Sequence, residues 1–497
     1  MIPIMTQIAA PRIDSYDPHL DEPEPPLYAA RRQIYPQSVS GIYRRAKWII
    51  LFVTLGIYYL LPFVRWDRGA GAPNQAVLID LPHRRAYFFF IEIWPQEVYY
   101  LTGLLIIAAM TLFLMNAMAG RVWCGYLCPQ TVWTDLFMQV ERWVEGDRRE
   151  RMQRDAAPMD LEKFSLKLLK HTLWLLIAWW TGGAWVLYFA DAPTLVRDLL
   201  TFQADVVAYA SIATLTFTTY TFAGLMREQV CLYMCPWPRI QAAMTDEYAL
   251  NVTYRVDRGE PRMSYKKATQ ARATGQIAGD CVDCQQCVAV CPTGVDIRHG
   301  ADIGCIQCGL CIDACDDVMA KLNRPTRLIA YDTEVNIKRR AEGKNNIFKP
   351  IRARTLLYAA IISIVGGVML YALLTRAPFT VSVIHDRNPI FVKLSDGHIR
   401  NAYTVRIANM LTTQRAFTLE VEGLQDSHIE IIGGEAPING RPSVSVGPDQ
   451  TRELRVLITS QDVDRDEPTS LEFKIRDEGD GKTATTRDFF RTPHSVR

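Results

Sequence analysis

Five stretches of the chain are uncharged over the length needed to cross a bilayer: 48–64, 98–120, 172–190, 206–226 and 355–375. A crossing takes about 20 apolar residues, so the first and third are short. Four of the five precede residue 227, a density that predicts an integral membrane protein rather than buried helices of a soluble one. After residue 376 the pattern changes to short alternations of period two: 379–384, 403–407, 417–421, 428–432, 443–446, 453–458 and 471–475. Turn clusters such as Asp386-Arg-Asn-Pro389 and Gly433-Gly434 separate them. About seven such strands in roughly 120 residues predict an immunoglobulin-like β-sandwich acting as a docking module. The first 46 residues are polar and proline-rich, with an acidic run from Asp21 to Glu24. They predict a disordered tail and lack the apolar core of a cleavable signal peptide. The expected division is therefore a tail (1–46), a four-helix membrane region (47–226), a ferredoxin-like domain (227–354), a fifth membrane helix (355–376) and the sandwich (377–497).

Average composition conceals this organisation. The net charge is +2 and the mean hydropathy −0.01, because apolar runs and charged loops cancel. The loops are more informative. Residues 121–171 carry nine Lys and Arg and residues 338–354 carry seven, against four in 65–97 and Arg197 alone between the third and fourth runs. The basic side faces the cytoplasm, which places the N-terminus and residues 227–354 there and sends the C-terminal sandwich to the periplasm. The expected location is a bacterial inner membrane, crossed several times. The basic segment 338–354, beside an apolar run, implies contact with anionic lipid and not with nucleic acid. Three other features have plain readings: 87–95 as an interfacial aromatic segment, Asp205 as a residue at the membrane edge, and His171 as a helix-end side chain at the interface.

The chemistry lies in the twelve cysteines. Eight form two runs, Cys281-x2-Cys284-x2-Cys287-x3-Cys291 and Cys305-x2-Cys308-x2-Cys311-x3-Cys315. A cubane [4Fe–4S] cluster takes four thiolates, and in tandem runs the fourth ligand of each comes from the other. The expected sets are Cys281, Cys284, Cys287 and Cys315 for one cluster, and Cys305, Cys308, Cys311 and Cys291 for the other. Zinc also uses paired CxxC steps, but the wide gap of a zinc ribbon is missing. The remaining four form two copies of one motif, Cys124-Gly-Tyr-Leu-Cys128-Pro129 and Cys231-Leu-Tyr-Met-Cys235-Pro236, each following an apolar run. The repeat predicts two similar hairpins that bring four thiols to one axis. Helical spacing of i and i+4 puts each pair on one face, while the proline pushes the second cysteine out of helical geometry. Soft thiolates suit Cu(I). A dithiol–disulfide relay and a quinone-side electron-transfer element remain open beside copper, with buried structural cysteine as the plain alternative. Met226, Met234 and Met244 are candidate thioether ligands, although methionine in apolar surroundings usually packs.

These motifs resemble the FixG/RdxA/CcoG family of cytochrome c oxidase accessory proteins, membrane polyferredoxins of Gram-negative bacteria. The likeness runs from about residue 28 to the C-terminus. It is carried by Arg31-Arg-Gln-Ile-Tyr-Pro36, Arg65-Trp-Asp-Arg-Gly69, Ile93-Trp-Pro-Gln-Glu97, the segment from Gly120 to Asp135 around the first thiol pair, Cys291-Pro-Thr-Gly-Val-Asp-Ile-Arg298 and Cys311-Ile-Asp-Ala-Cys-Asp316. What the resemblance implies is a role in assembling a cbb3-type oxidase, by reducing Cu(II) to Cu(I) at Cys124, Cys128, Cys231 and Cys235. The implied partners are a cytoplasmic electron donor, copper chaperones or oxidase assembly factors, and a second copy of the chain. A quinol-linked electron conduit to a periplasmic reductase and a non-redox assembly scaffold are the competing expectations.

Overall fold

The computed structural model describes residues 33–493 apart from 70–71, 412, 425, 439 and 462–467. Four helices are long and apolar enough to cross a membrane: Ile42–Phe63, Pro95–Ala119, Val206–Met226 and Ala353–Leu374. They correspond to the first, second, fourth and fifth apolar runs. The third run lies on a helix, Leu161–Val186, that begins well before it. Asp160 caps that start by accepting from the Lys163 amide at 2.7 Å, and Lys163, Lys167 and Lys170 occupy the first turns. Those lysines and four tryptophans (174, 179, 180 and 185) keep this helix out of the apolar set, since tryptophan favours interfaces. It nevertheless packs as a close neighbour. At Gly182 an added Cβ would lie 3.0 Å from the Ile212 carbonyl oxygen on helix Val206–Thr219. Small residues allow this approach, as does Gly103 on helix Tyr99–Ala119, which makes room for Met369 of helix Ala353–Leu374.

The tail expected over 1–46 lies outside the described residues as far as residue 32. From 33 onward the chain is tied down, and its boundary moves. The Tyr35 hydroxyl donates to Asp155 at 2.8 Å, the Ser38 hydroxyl donates to Asp147 at 2.5 Å, and helix begins at Ile42. Arg44 and Lys47 are buried, at 6 % and 7 % exposure, on the Asp135 carboxylate of helix Pro129–Glu145.

A second correction concerns 87–95, which is not a single aromatic segment. Val77–Asp80, Arg85–Phe88 and Ile91–Ile93 form an antiparallel meander with Leu78 opposite Tyr87 and Phe88 opposite Ile91. Arg85 joins this meander to the C-terminal domain. Its guanidinium lies 3.9 Å over the Trp94 ring, pairs with Glu92 at 3.2 Å and with Asp449, and donates to the Asp449 carbonyl at 2.8 Å.

The C-terminal domain is a two-sheet antiparallel sandwich. One sheet runs His428–Ile432, Gln450–Ser460, Ile399–Asn409, Phe379–His385, with Val392–Lys393 beside Ile399–Asn409. The other runs Glu435–Ile438, Arg441–Val446, Arg415–Glu422, Thr469–Asp477, Thr483–Phe490. Alternate residues point inward: Ile399, Tyr403, Val405 and Ile407 from one sheet meet Phe417, Leu419, Leu471, Phe473 and Ile475 from the other, all at most 2 % exposed. All seven expected alternations fall in strands. Thr483–Phe490 is additional, and its sequence, Thr-Ala-Thr-Thr-Arg-Asp-Phe-Phe, is too polar to announce a strand.

The segment between the fourth and fifth apolar runs has little core beyond its sulfurs. One short ribbon pairs Asn251–Tyr254 with Ile329–Asp332. Its apolar cluster unites Val252, Tyr254, Ile312, Met319, Leu328 and Ile329 with Cys281 and Cys287.

Candidate electron-transfer site

The two four-cysteine runs fold as the same loop. Asp283 and Gln285 in the first, and Gln307 and Gly309 in the second, occupy equivalent positions with φ of 51°, 55°, 55° and 74°. Two left-handed residues in alternation curl each loop tightly. Only the last is glycine, because the Tyr43 ring lies where its Cβ would go, 2.7 Å away. A helix then follows each loop, Gln286–Ala289 and Leu310–Lys321.

Curling sorts the thiols into two hollows. Cys281, Cys284, Cys287 and Cys315 line one of about 340 Å³ with Tyr254, Met319, Leu328 and Ile329. Cys291, Cys305, Cys308 and Cys311 line another of about 350 Å³ with Val252, Val295, Ile297 and Ile306, and Cys287 borders both. This is the crossed grouping expected from the spacing. The donors fit a [4Fe–4S] group: four sulfurs per hollow, with largely apolar walls. Among the described residues no three His, Cys, Asp or Glu side chains converge on a single ion. Burial pushes the Cys287, Cys305 and Cys315 thiols up to about 12, so their deprotonation has to accompany the binding of a cationic group. Of the eight, only Cys284 is exposed.

The duplicated motifs also share a backbone. Gly120 ends the second apolar helix at φ 53°, ψ −128°, and Arg227 ends the fourth at φ 48°, ψ −113°. Each break lies four positions ahead of the first cysteine of its motif. Arg227 adopts it without being glycine, and its side chain holds the turn: Nε donates to the Gly224 carbonyl and Nη2 to Glu141, both at 2.9 Å. The first cysteine of each pair is then helical, Cys124 within Val122–Tyr126 and Cys231 within the π-helical Val230–Met234. The second is extended, Cys128 at ψ 126° and Cys235 at ψ 121°, as the following proline dictates. Pro129 and Pro236 lead into helices Pro129–Glu145 and Trp237–Met244.

The two motifs meet. The Cys124 sulfur is close enough to Cys128, Cys231 and Cys235 for all three to act on it electrostatically, and its thiol donates to Gln241 Oε1 at 3.2 Å. Burial above all pushes the Cys124 and Cys231 thiols up to about 12. The first motif also docks on the second cluster loop. Cys124 packs with Ile306, Cys308 and Leu310, and the Tyr126 hydroxyl donates to the Cys308 carbonyl at 2.9 Å. At Gly125 a Cβ would stand 2.8 Å from the Ile306 oxygen and 3.1 Å from the Cys308 Cα. Arg121 fastens both motifs to that loop, donating to the Ile303, Cys305 and Pro238 carbonyls. Here the repeat becomes asymmetric. Cys124 is 9 % exposed, whereas Tyr233 and Met234 are 81 % and 51 % exposed and Cys235 is also open. One end of the four-thiol group faces the iron–sulfur loops and the other faces outward.

Other residues that the sequence singled out have their own surroundings. Met234 is 51 % exposed, and the Met244 main-chain carbonyl accepts from Arg354. His171 accepts or donates a 2.9 Å bond with the Tyr220 hydroxyl and lies edge-on to Trp174, so it serves packing. Asp205 caps helix Val206–Thr219. The residues that sequence reasoning passed over are Gln241, Gly125 in its contact role, and Lys47. Nothing in a linear reading marks them except the position of Gly125 inside the motif.

Models of known families match three parts of the chain. A 4Fe-4S dicluster domain covers residues 226–334, a 4Fe-4S binding domain covers 101–147, and the IG-like fold at the C-terminus of FixG covers 369–493. The chain is 48 % identical over 480 residues to the nitrogen fixation protein FixG of Rhizobium meliloti (strain 1021), covering 91 % of each. Two proteins of Cereibacter sphaeroides are similar as well. RdxB is 50 % identical over 87 % of this chain and 90 % of its own, and RdxA 51 % over 80 % and 84 %. With two cysteine-lined hollows, a duplicated thiol motif on apolar helices and a C-terminal sandwich, and with relatives matched along nearly the whole length, this chain belongs to the FixG/RdxA family of iron–sulfur proteins.

Proposed function

We propose that this protein transfers single electrons from the cytoplasm to copper at the membrane edge, reducing Cu(II) to Cu(I) for assembly of a cbb3-type oxidase. In this reading Cys281, Cys284, Cys287 and Cys315 hold one [4Fe–4S] cluster, Cys291, Cys305, Cys308 and Cys311 hold the other, and Cys124, Cys128, Cys231 and Cys235 handle copper. Bound clusters supply one-electron storage. The helix Leu161–Val186 serves as a fifth crossing beside the four apolar ones, and the basic loops 121–171 and 338–354 mark the cytoplasmic side. That topology puts the sandwich in the periplasm.

The observation that carries the reading is the packing of Cys124 against Cys308 and its neighbours, with Gly125 pressed on the same loop. It supports an unbroken path. A one-electron donor reaches the exposed Cys284 edge, the electron crosses between hollows at their shared Cys287 border, and it leaves through Cys308 and Cys124. Cu(II) arriving from the open side at Cys235 accepts that electron and becomes Cu(I). The donor is oxidised by that one electron, no bond is cleaved, and thiolates favour the softer product. The FixG relative is named for nitrogen fixation; copper is the step this reading adds. The test is the purified protein with all four membrane-edge cysteines replaced by serine. Iron content should match the wild type while cupric reduction disappears, and an unchanged reduction rate would refute the assignment.

A further inference from the structure

A pocket with two buried cations lies beside the second hollow. Arg44 and Lys47, both more than nine-tenths buried, face one carboxylate, Asp135, itself 2 % exposed. Arg44 Nη1 engages both Asp135 oxygens at 2.8 Å, and the Lys47 ammonium stands 3.7 Å from one of them. Lys47 has a second neighbour. It lines a cavity whose other walls include Pro292, Thr293 and Ile306, from the two cluster loops, with Arg227, Glu228 and Cys231. It is also close enough to act on the Cys308 sulfur. From another side Arg121 approaches Cys305, with its guanidinium hydrogen bonds directed at main-chain carbonyls and Asp302 as an acidic neighbour. Asp313, on the same helix as Cys311, is engaged by the Tyr43 and Arg44 amides.

Around the first hollow carboxylates outnumber the cations, which include Arg324 near Cys281. Arg298 beside Cys287 is matched by two carboxylates, Asp296 at 2.6 Å and Asp283. Asp316 adds a further negative charge near Cys315. Four thiolates around an iron–sulfur cage leave a negative complex, more so when reduced, and net charge nearby sets its potential.

We infer that Lys47 is a positioning residue for electron flow: its ammonium raises the reduction potential of the group held by Cys291, Cys305, Cys308 and Cys311 above that of its neighbour. The inference rests on the cluster ligands proposed above. It gives the route a direction, with the downhill end at the hollow that touches Cys124.

The test is an EPR-monitored redox titration of the full-length detergent-solubilised protein, which resolves two midpoints. Lys47→Met should move one of them down by about a tenfold change in the reduction equilibrium, ~59 mV for one electron, and leave the other in place. Lys47→Arg, which keeps the charge, should restore the wild-type value. Tyr254→Phe, beside Cys281 in the first hollow, should move the other midpoint and so identify the pair. Two unchanged midpoints in Lys47→Met at full iron content, or two that fall together, would overturn the inference. If that variant loses iron, Asp135→Asn decides: the same midpoint should rise, and a midpoint that stays put refutes the role. A wild-type protein without two clusters would instead refute the ligand assignment.

Discussion

Gly125 has no space for a side chain. Its missing Cβ is what lets the first thiol motif rest on the Ile306–Cys308 backbone, and backbone cannot swing aside as a flexible side chain would. Gly125→Ala should therefore lift the motif from the loop. The expected cost is about 1–3 kcal/mol of stability from overpacking, with slower electron delivery to copper and undiminished iron content. Stopped-flow copper reduction beside iron analysis checks this, and normal kinetics would show that the contact is not on the route. Arg227 illustrates a different solution at the equivalent helix end. Gly120 turns there without strain, whereas Arg227 occupies a left-handed backbone held by its own bonds to Gly224 and Glu141. The ligand cysteines were legible because their chemistry is a matter of spacing along the chain. Lys47 and Gln241 were not, because their meaning depends on Asp135 and Cys124, which only folding brings near.

At the level of elements, Glu141 ties together four pieces of the membrane-edge layer. It accepts from Arg151 at 2.8 Å and from Arg227 at 2.9 Å, with Lys170 at 3.4 Å, and Glu145 extends the network to Lys167 and Lys170 at 2.9 Å. Burial opposes ionisation of Glu141, but Arg227 first, then Lys170 and Arg151, hold its carboxyl down to about 2. A depressed carboxylate stabilises the fold above its ordinary range near 4.5 and loses that contribution as pH falls towards 2. At neutral pH the full contribution is present, so Glu141→Gln should cost about 3–5 kcal/mol by leaving buried cations unpaired. A thermal melt in detergent reads it out. The apolar helices were legible because hydropathy is local. The helix Leu161–Val186 was only half legible, since its lysine-rich start lies outside the apolar run. The meander at Val77–Ile93 was misread because Tyr87-Phe-Phe-Phe90 looks like one greasy segment, although Phe88 pairs across both turns with Val77 and Ile91. In the sandwich, period-two alternation revealed seven strands, edge strands among them, while the short Val392–Lys393 and Glu435–Ile438 and the polar Thr483–Phe490 escaped.

Across the whole molecule, Arg85 with Asp449 links the sandwich to the membrane region, and Arg376, just ahead of the sandwich, pairs with Glu97 at 2.8 Å. Glu92 shares the first contact. Burial raises its carboxyl to about 7, with Asp449 adding to the shift and Arg85 opposing it. A raised carboxyl pKa penalises the folded state as pH climbs from the ordinary value near 4.5 through 7. The joint should therefore be firmest below about pH 5 and loosen towards neutrality, and Glu92→Gln should remove that dependence. Hydrogen exchange across 85–93 and 447–452 at pH 5 and pH 8 measures it, and equal protection at both would contradict the assignment. Sandwich, cluster loops and thiol motifs thus form one connected body, and the thiols lie where the second and fourth apolar helices end.

The most direct measurement is rapid-freeze EPR of the reduced protein mixed with one equivalent of Cu(II). The account predicts that the reduced-cluster and Cu(II) signals decay together in the wild type, and that the reduced-cluster signal persists when Cys124, Cys128, Cys231 and Cys235 are all serine. Equal decay in both proteins would mean that electrons reach copper without those thiols, and the account would be wrong.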